Sequence, residues 1–103
     1  MSAPRFPIHK RLKTCPDENL GFMLLEQLEK VSEEMEELGA CMEETDDHGV
    51  FINASGLMEE ALDVIHAAEG VAYLLERMHP QVRMSDYVNY VIEKNKARGY
   101  YDA

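Results

Sequence analysis

Two stretches of the chain carry apolar residues at helical spacing. In the first, Leu24, Leu28, Val31, Met35, Leu38 and Met42 follow steps of 4, 3, 4, 3 and 4. This is a heptad seam sustained over about three repeats. It predicts an amphipathic helix running from a start at Thr14-Cys15-Pro16-Asp17 to about Glu44, ~40 Å long at 1.5 Å per residue. Thr14 is the candidate cap, Pro16 suits an early helical position, and Asp17 and Glu18 favour the positive end of the helix dipole. Gly39 is expected either to allow close packing or to mark a bend.

In the second stretch Leu57, Ala61, Val64, Ala68, Val71, Leu75 and Met78 repeat the alternation, and a further apolar row runs through Met58, Leu62, Ile65 and Ala72. A helix capped by Asn53 or Ser55 and ending near Met78 is therefore apolar over more than one face. It is expected to be buried on two sides. Gly70, with Ala67 and Ala68, permits close helix approach. His79-Pro80 ends the pattern because proline cannot continue a helix. Ser85-Asp86 is expected to cap a third helix from about Tyr87 to Arg98. Its stripe is Tyr87, Val88, Val91 and Ile92, and Gly99 suits a left-handed C-terminal position.

Between the long helices, residues 45–49 read as a turn by composition, and Val50-Phe51-Ile52 as a loop plugged into the core. The connection suits antiparallel neighbours. The expected fold is all-α: one domain over residues 1–103, an antiparallel helical bundle with two long heptad-patterned helices and a shorter C-terminal one, in an oligomer that covers the second apolar face. Residues 1–13 carry Pro4, Pro7, Arg5, Lys10, Arg11 and Lys13. They suit either a loosely ordered arm or an arm lying across a pocket through Phe6 or Ile8.

Charge narrows the partners. A formal net charge of −10 argues against a nucleic-acid polymer, which needs clustered Lys and Arg. It leaves a nucleotide accessible through a metal. No apolar run approaches the roughly 20 residues of a membrane span, and residues 1–13 lack the apolar segment of a secretory signal. The expected location is cytoplasmic. With two cysteines, Cys15 and Cys41, a disulfide framework is not expected, and Cys41 is read as a small buried hydrophobe.

Both long helices carry paired carboxylates at i and i+3: Glu34 with Glu37, and Glu60 with Asp63. Residues so spaced share a helix face. A lone pair of this kind means little in a chain holding 20 Asp and Glu, and Glu33, Glu36, Glu43, Glu44 and Glu59 are read as solvated. Two pairs on packed helices would bring four carboxylates together, a cluster that needs protons or a hard cation. Oxygen donors suit Mg²⁺ or Mn²⁺, whereas Zn²⁺ sites usually bring His or Cys. Mg²⁺ held this way typically binds substrate phosphates. Lys94 and Arg98, at i and i+4 near the end of the third helix, would reach phosphate oxygens. They are also ordinary partners of a helix C-terminus. His48 reads as a solvated loop residue, and His66 as a core-edge histidine hydrogen-bonded to a neighbour.

Glu34-Met35-Glu36-Glu37, a spacer, then Glu60-Ala61-Leu62-Asp63 resembles the E-x-x-E, E-x-x-D pattern of the MazG-like all-α nucleoside triphosphate pyrophosphohydrolases. Lys94-Asn95-Lys96-Ala97-Arg98-Gly99 is similar to the K-N-x-x-R-G ending of small members. The resemblance spans about residues 20–100. It implies Mg²⁺-dependent hydrolysis of a (deoxy)nucleoside triphosphate to monophosphate and pyrophosphate, in a dimer or tetramer. By matching, Glu34, Glu37, Glu60 and Asp63 would be the metal ligands and catalytic set, and Lys94, Asn95 and Arg98 would contact phosphate or ribose. Tryptophan is absent, so an aromatic base platform falls to Phe or Tyr. Asp63-Val64-Ile65-His66 is also similar to part of phosphoribosyl-ATP pyrophosphohydrolase, with His66 at a different offset. A non-catalytic helical adaptor with a solubilising acidic face is the third reading.

Overall fold

The computed structural model describes residues 6–42 and 54–102. Among them are four α-helices: α1 (Lys10–Lys13), α2 (Leu20–Met42), α3 (Ala54–Met78) and α4 (Met84–Ala97). A 3-10 turn, Asp17–Asn19, leads into α2, and no strand occurs among the described residues. The all-α expectation holds, and no described helix is long and apolar enough to cross a membrane. The expected turn at residues 45–49, the loop at 50–52, His48 and the cap at Asn53 lie outside the described residues.

The helix ends correct several sequence expectations. Thr14 does not start the first long helix. It closes α1, its hydroxyl donating to the Lys10 carbonyl at 3.0 Å. Pro16 is extended (φ −60°, ψ 147°), so the chain first turns at Asp17–Asn19 and α2 begins only at Leu20. Ser55 and Ser85 lie inside α3 and α4 rather than capping them. The Met84 N–H at the start of α4 donates instead to Glu76 Oε2 at 2.6 Å. A carboxylate from the last turns of α3 thus satisfies an orphan donor of the next helix. The other end follows expectation. Gly99 has φ 78°, its N–H donates to the Lys96 carbonyl, and the Tyr100 N–H donates to the Asn95 carbonyl. This is a Schellman closure, for which glycine has no Cβ penalty.

α2 packs on α3, but not through the apolar seam alone. The buried positions of α2 are Leu20, Gln27 and Glu34, a line with heptad spacing in which two members are polar. Leu24, Val31 and Leu38 flank it half-buried, whereas Leu28 and Met35 stand 48% and 58% exposed. On α3 the buried positions are Ala67, Gly70 and Leu74, and Ala68 faces out. Cys15, rather than half-buried Cys41, is the buried thiol. The tight apolar core gathers Leu12, Cys15, Leu20 and Leu74, with Ile8, Met23, Leu24, Tyr73 and Met78 against it. The arm therefore contributes to the core. Leu12, within a basic segment, is only 2% exposed.

Gly70 permits the expected close approach. A Cβ there would meet Gln27 Nε2 at 2.7 Å and Leu12 Cδ1 at 3.0 Å. Gln27 Nε2 is held in place by donating to the Ala67 carbonyl at 2.9 Å. Alanine gains roughly 1 kcal/mol of helix propensity over glycine and risks one hydrogen bond of about the same size. Gly70→Ala should therefore be near neutral. Gly70→Leu should cost about 1–3 kcal/mol through overpacking and should displace Leu12 together with the arm. Urea denaturation of both variants checks this, and a Gly70→Leu protein as stable as the parent would contradict the packing.

Candidate metal centre and cleft

α2 presents Glu34 and Glu37 on successive turns, and α3 brings Glu60 against them. One carboxylate oxygen from each lies within 4.8 Å of the other two. Glu34 is buried, Glu60 half-buried and Glu37 exposed. Glu34 Oε1 accepts an ion pair from Lys30 Nζ at 2.9 Å, and the Glu34 side chain retains 9% of its exposure. Its other oxygen, Oε2, is buried with no hydrogen-bond partner, as is Glu60 Oε2. Burying such atoms unpaired is costly, more so when the group is charged. The charge of Glu34 is the main cause pushing the Glu37 carboxyl above its ordinary range, with smaller contributions from lost hydration and from Glu60. The hydrogen bond and charge of Glu34 push Lys30 upward in turn.

A cleft of about 570 Å³ adjoins the cluster and shares Glu34 with it. This volume is within the range of small-molecule sites. α2 contributes Gln27, Lys30, Glu33 and Glu34, and α3 contributes Asp63, His66, Ala67 and Gly70. Residues 7–9, 11 and 12 of the arm form the remaining side. His66 is the hydrogen-bonded histidine expected at the core edge. Its Nε2 lies 3.2 Å from the Pro7 carbonyl, and its ring stacks on Phe6 with centroids 4.9 Å apart.

The sequence-predicted carboxylates thus divide. Glu34, Glu37 and Glu60 come together. Asp63, one turn along α3 from Glu60, is exposed and lines the cleft without joining the three-oxygen group. Lys94 and Arg98 are exposed and Asn95 is half-buried at the end of α4, and none of the three lines the cleft. Sequence reasoning missed Lys30, Gln27 and Arg11. Lys30 had a signal, since it stands four residues before Glu34 on the same helix face. Gln27 had one too, seven residues before Glu34 in the line of buried positions. Arg11 had none beyond belonging to a basic arm.

The donor set suits a hard divalent cation. It offers only carboxylate oxygens, and two buried oxygens lack any protein partner. Comparison of the chain with protein-family models, with curated proteins and with solved structures found no match in any of the three.

Proposed function

We propose that this chain is a divalent-cation-dependent nucleotide pyrophosphohydrolase, acting at the α–β phosphoanhydride of a nucleoside triphosphate. The observation that carries the reading is the meeting of Glu34, Glu37 and Glu60, with orphaned buried oxygens on Glu34 and Glu60, at the edge of a ligand-sized cleft. Glu34, Glu37 and Glu60 would hold Mg²⁺ or Mn²⁺, with Asp63 available from the cleft side. Bound there, such an ion supplies positive charge for phosphate oxygens and for the departing pyrophosphate. Lys30 orients Glu34 through its 2.9 Å contact. Gln27 joins α2 to the Ala67 carbonyl of α3 beneath the cleft, which fixes the separation of the two carboxylate helices.

The same reading takes the helices as an antiparallel bundle. Gln27 meets Ala67 and Gly70, while Glu34 and Glu37, later on α2, meet Glu60, earlier on α3. It also takes the chain as a homo-oligomer. Leu28 and Met35 on α2, Met58 and Ile65 on α3, and Tyr87, Val88, Val91 and Ile92 on α4 are exposed, an apolar extent that calls for a partner surface. Lys94, Asn95 and Arg98 then serve the cleft of another protomer, since they do not line their own. Light scattering at micromolar protein should show a dimer or larger species, and a compact monomer would contradict this arrangement.

The experiment that tests the activity is a panel of nucleoside triphosphates and phosphoribosyl-ATP with Mg²⁺, read by pyrophosphate release. Release from one or more nucleoside triphosphates supports the reading. Release from phosphoribosyl-ATP alone selects the phosphoribosyl-ATP pyrophosphohydrolase reaction, and no release from any member returns the chain to a binding role.

A further inference from the structure

The cleft has two unlike sides. The helical side carries Glu33, Glu34 and Asp63, with Lys30 already paired to Glu34, and the arm side carries Arg11. The arm is firmly mounted on α3. The Phe6 N–H donates to Glu69 Oε2 at 3.1 Å, and His66 Nε2 meets the Pro7 carbonyl at 3.2 Å. Arg77 Nη1 donates to the Leu12 carbonyl at 2.8 Å, while its Nη2 holds Asp17 at 2.7 Å. The Leu12 side chain is buried beneath. Such ties remove the looseness expected of a terminal segment and place α1 at a defined position beside the cleft.

Arg11 itself is exposed and makes no ion pair with any described residue, although three carboxylates line the same cleft. Its guanidinium donors are therefore available to a ligand. A planar fork of donors on a fixed mount suits a phosphate oxyanion, which it can bind through two hydrogen bonds at once. The Arg11 N–H donates to His9 Nδ1 at 3.0 Å, so the local turn is set by backbone and His9, not by the arginine side chain.

We propose that Arg11 is a phosphate-binding side chain of this cleft, supplied by the same chain, and that the arm is the wall holding the polyphosphate opposite the carboxylates. The proposal deepens the pyrophosphohydrolase reading and rests on it for the identity of the ligand. It places a cation for the substrate within the same chain, separate from Lys94 and Arg98. Arg11→Ala should fold normally, because the side chain is exposed and makes no ion pair with a described residue, and alanine favours the helix.

The test is calorimetric titration of the full chain with inorganic tripolyphosphate, in the presence of Mn²⁺, and with Mn²⁺ alone. Arg11→Ala should weaken tripolyphosphate binding by about tenfold or more, the scale of one charge-assisted contact, and leave Mn²⁺ binding unchanged. Arg11→Lys should recover part of the loss. Lys13→Ala removes the same charge from the same short helix at a residue that does not line the cleft, and should bind tripolyphosphate like the parent. If Arg11→Ala matches the parent, or if Lys13→Ala loses as much as Arg11→Ala, the proposal is overturned. A parent that binds Mn²⁺ but no tripolyphosphate overturns it as well and leaves the metal centre standing. Arg11-dependent tripolyphosphate binding by a parent that binds no Mn²⁺ has the opposite meaning: the arm site holds and the metal reading fails.

Discussion

Glu60→Gln is expected to abolish pyrophosphate release while leaving helix content and oligomeric state unchanged. The substitution keeps the shape of the side chain and removes the charge that a hard cation requires. Glu60 is the contribution of α3 to the three-oxygen group, and one of its oxygens is already buried without a partner. The loss should exceed the roughly 10–100-fold cost of disturbing residues that merely support metal ligands. Asp63→Asn should also inactivate if Asp63 turns toward the cluster when a cation is bound. Glu33→Gln is the control. Glu33 lines the same cleft and its carboxylate lies 4.0 Å from Lys30 Nζ, but it stands outside the cluster. It should retain near-parental turnover. Parental turnover in Glu60→Gln, or equal losses in Glu60→Gln and Glu33→Gln, would remove the cluster from the reaction.

The second large effect is on stability. The charge of Glu34 holds the Glu37 carboxyl above its ordinary value of 4.5. The folded chain then binds that proton more tightly than the unfolded chain does. The resulting stability is fully present below the ordinary carboxylate value and is lost as pH rises through the raised one. Lys30, also raised, contributes in the same sense, but its contribution persists until pH approaches the ordinary lysine value of 10.5 and is lost above it. The metal-free protein should therefore melt at lower temperature as pH climbs from the acidic side of that carboxylate window toward neutrality.

A cation that binds only the assembled cluster reverses this loss. At a hundredfold excess over its dissociation constant the gain is about 2.7 kcal/mol, on the order of 10 °C or more for a chain of this size. Glu37→Gln should show an equal or higher melting temperature without metal, because one repelling charge is gone, and should lose most of the response to Mg²⁺. Melting curves with and without millimolar Mg²⁺, at constant ionic strength, decide the matter. Equal shifts in parent and variant, or no shift in either, would mean that the three carboxylates do not form a cation site.

The sequence by itself determined the long helices and the local spacing within them. Apolar steps of three and four residues foretold α2 and α3, Pro80 foretold the end of α3, and Gly99 the closure of α4. Each depends on interactions within a few residues. The i, i+3 spacing likewise guaranteed that Glu34 and Glu37 share a face, as do Glu60 and Asp63. Which residues are buried was decided only in three dimensions. Periodicity marks an amphipathic stripe but does not fix the rotation of each helix about its axis. A modest turn of α2 is enough to bury Gln27 and Glu34 while Leu28 and Met35 remain exposed. That rotation, with the register set by Gln27 against Ala67 and Gly70, brings Glu60 to Glu34 and Glu37 and leaves Asp63 on the cleft side. The arm's place was equally hidden. It depends on Glu69, His66 and Arg77, roughly sixty residues away in the chain, and no local propensity encodes a contact at that separation.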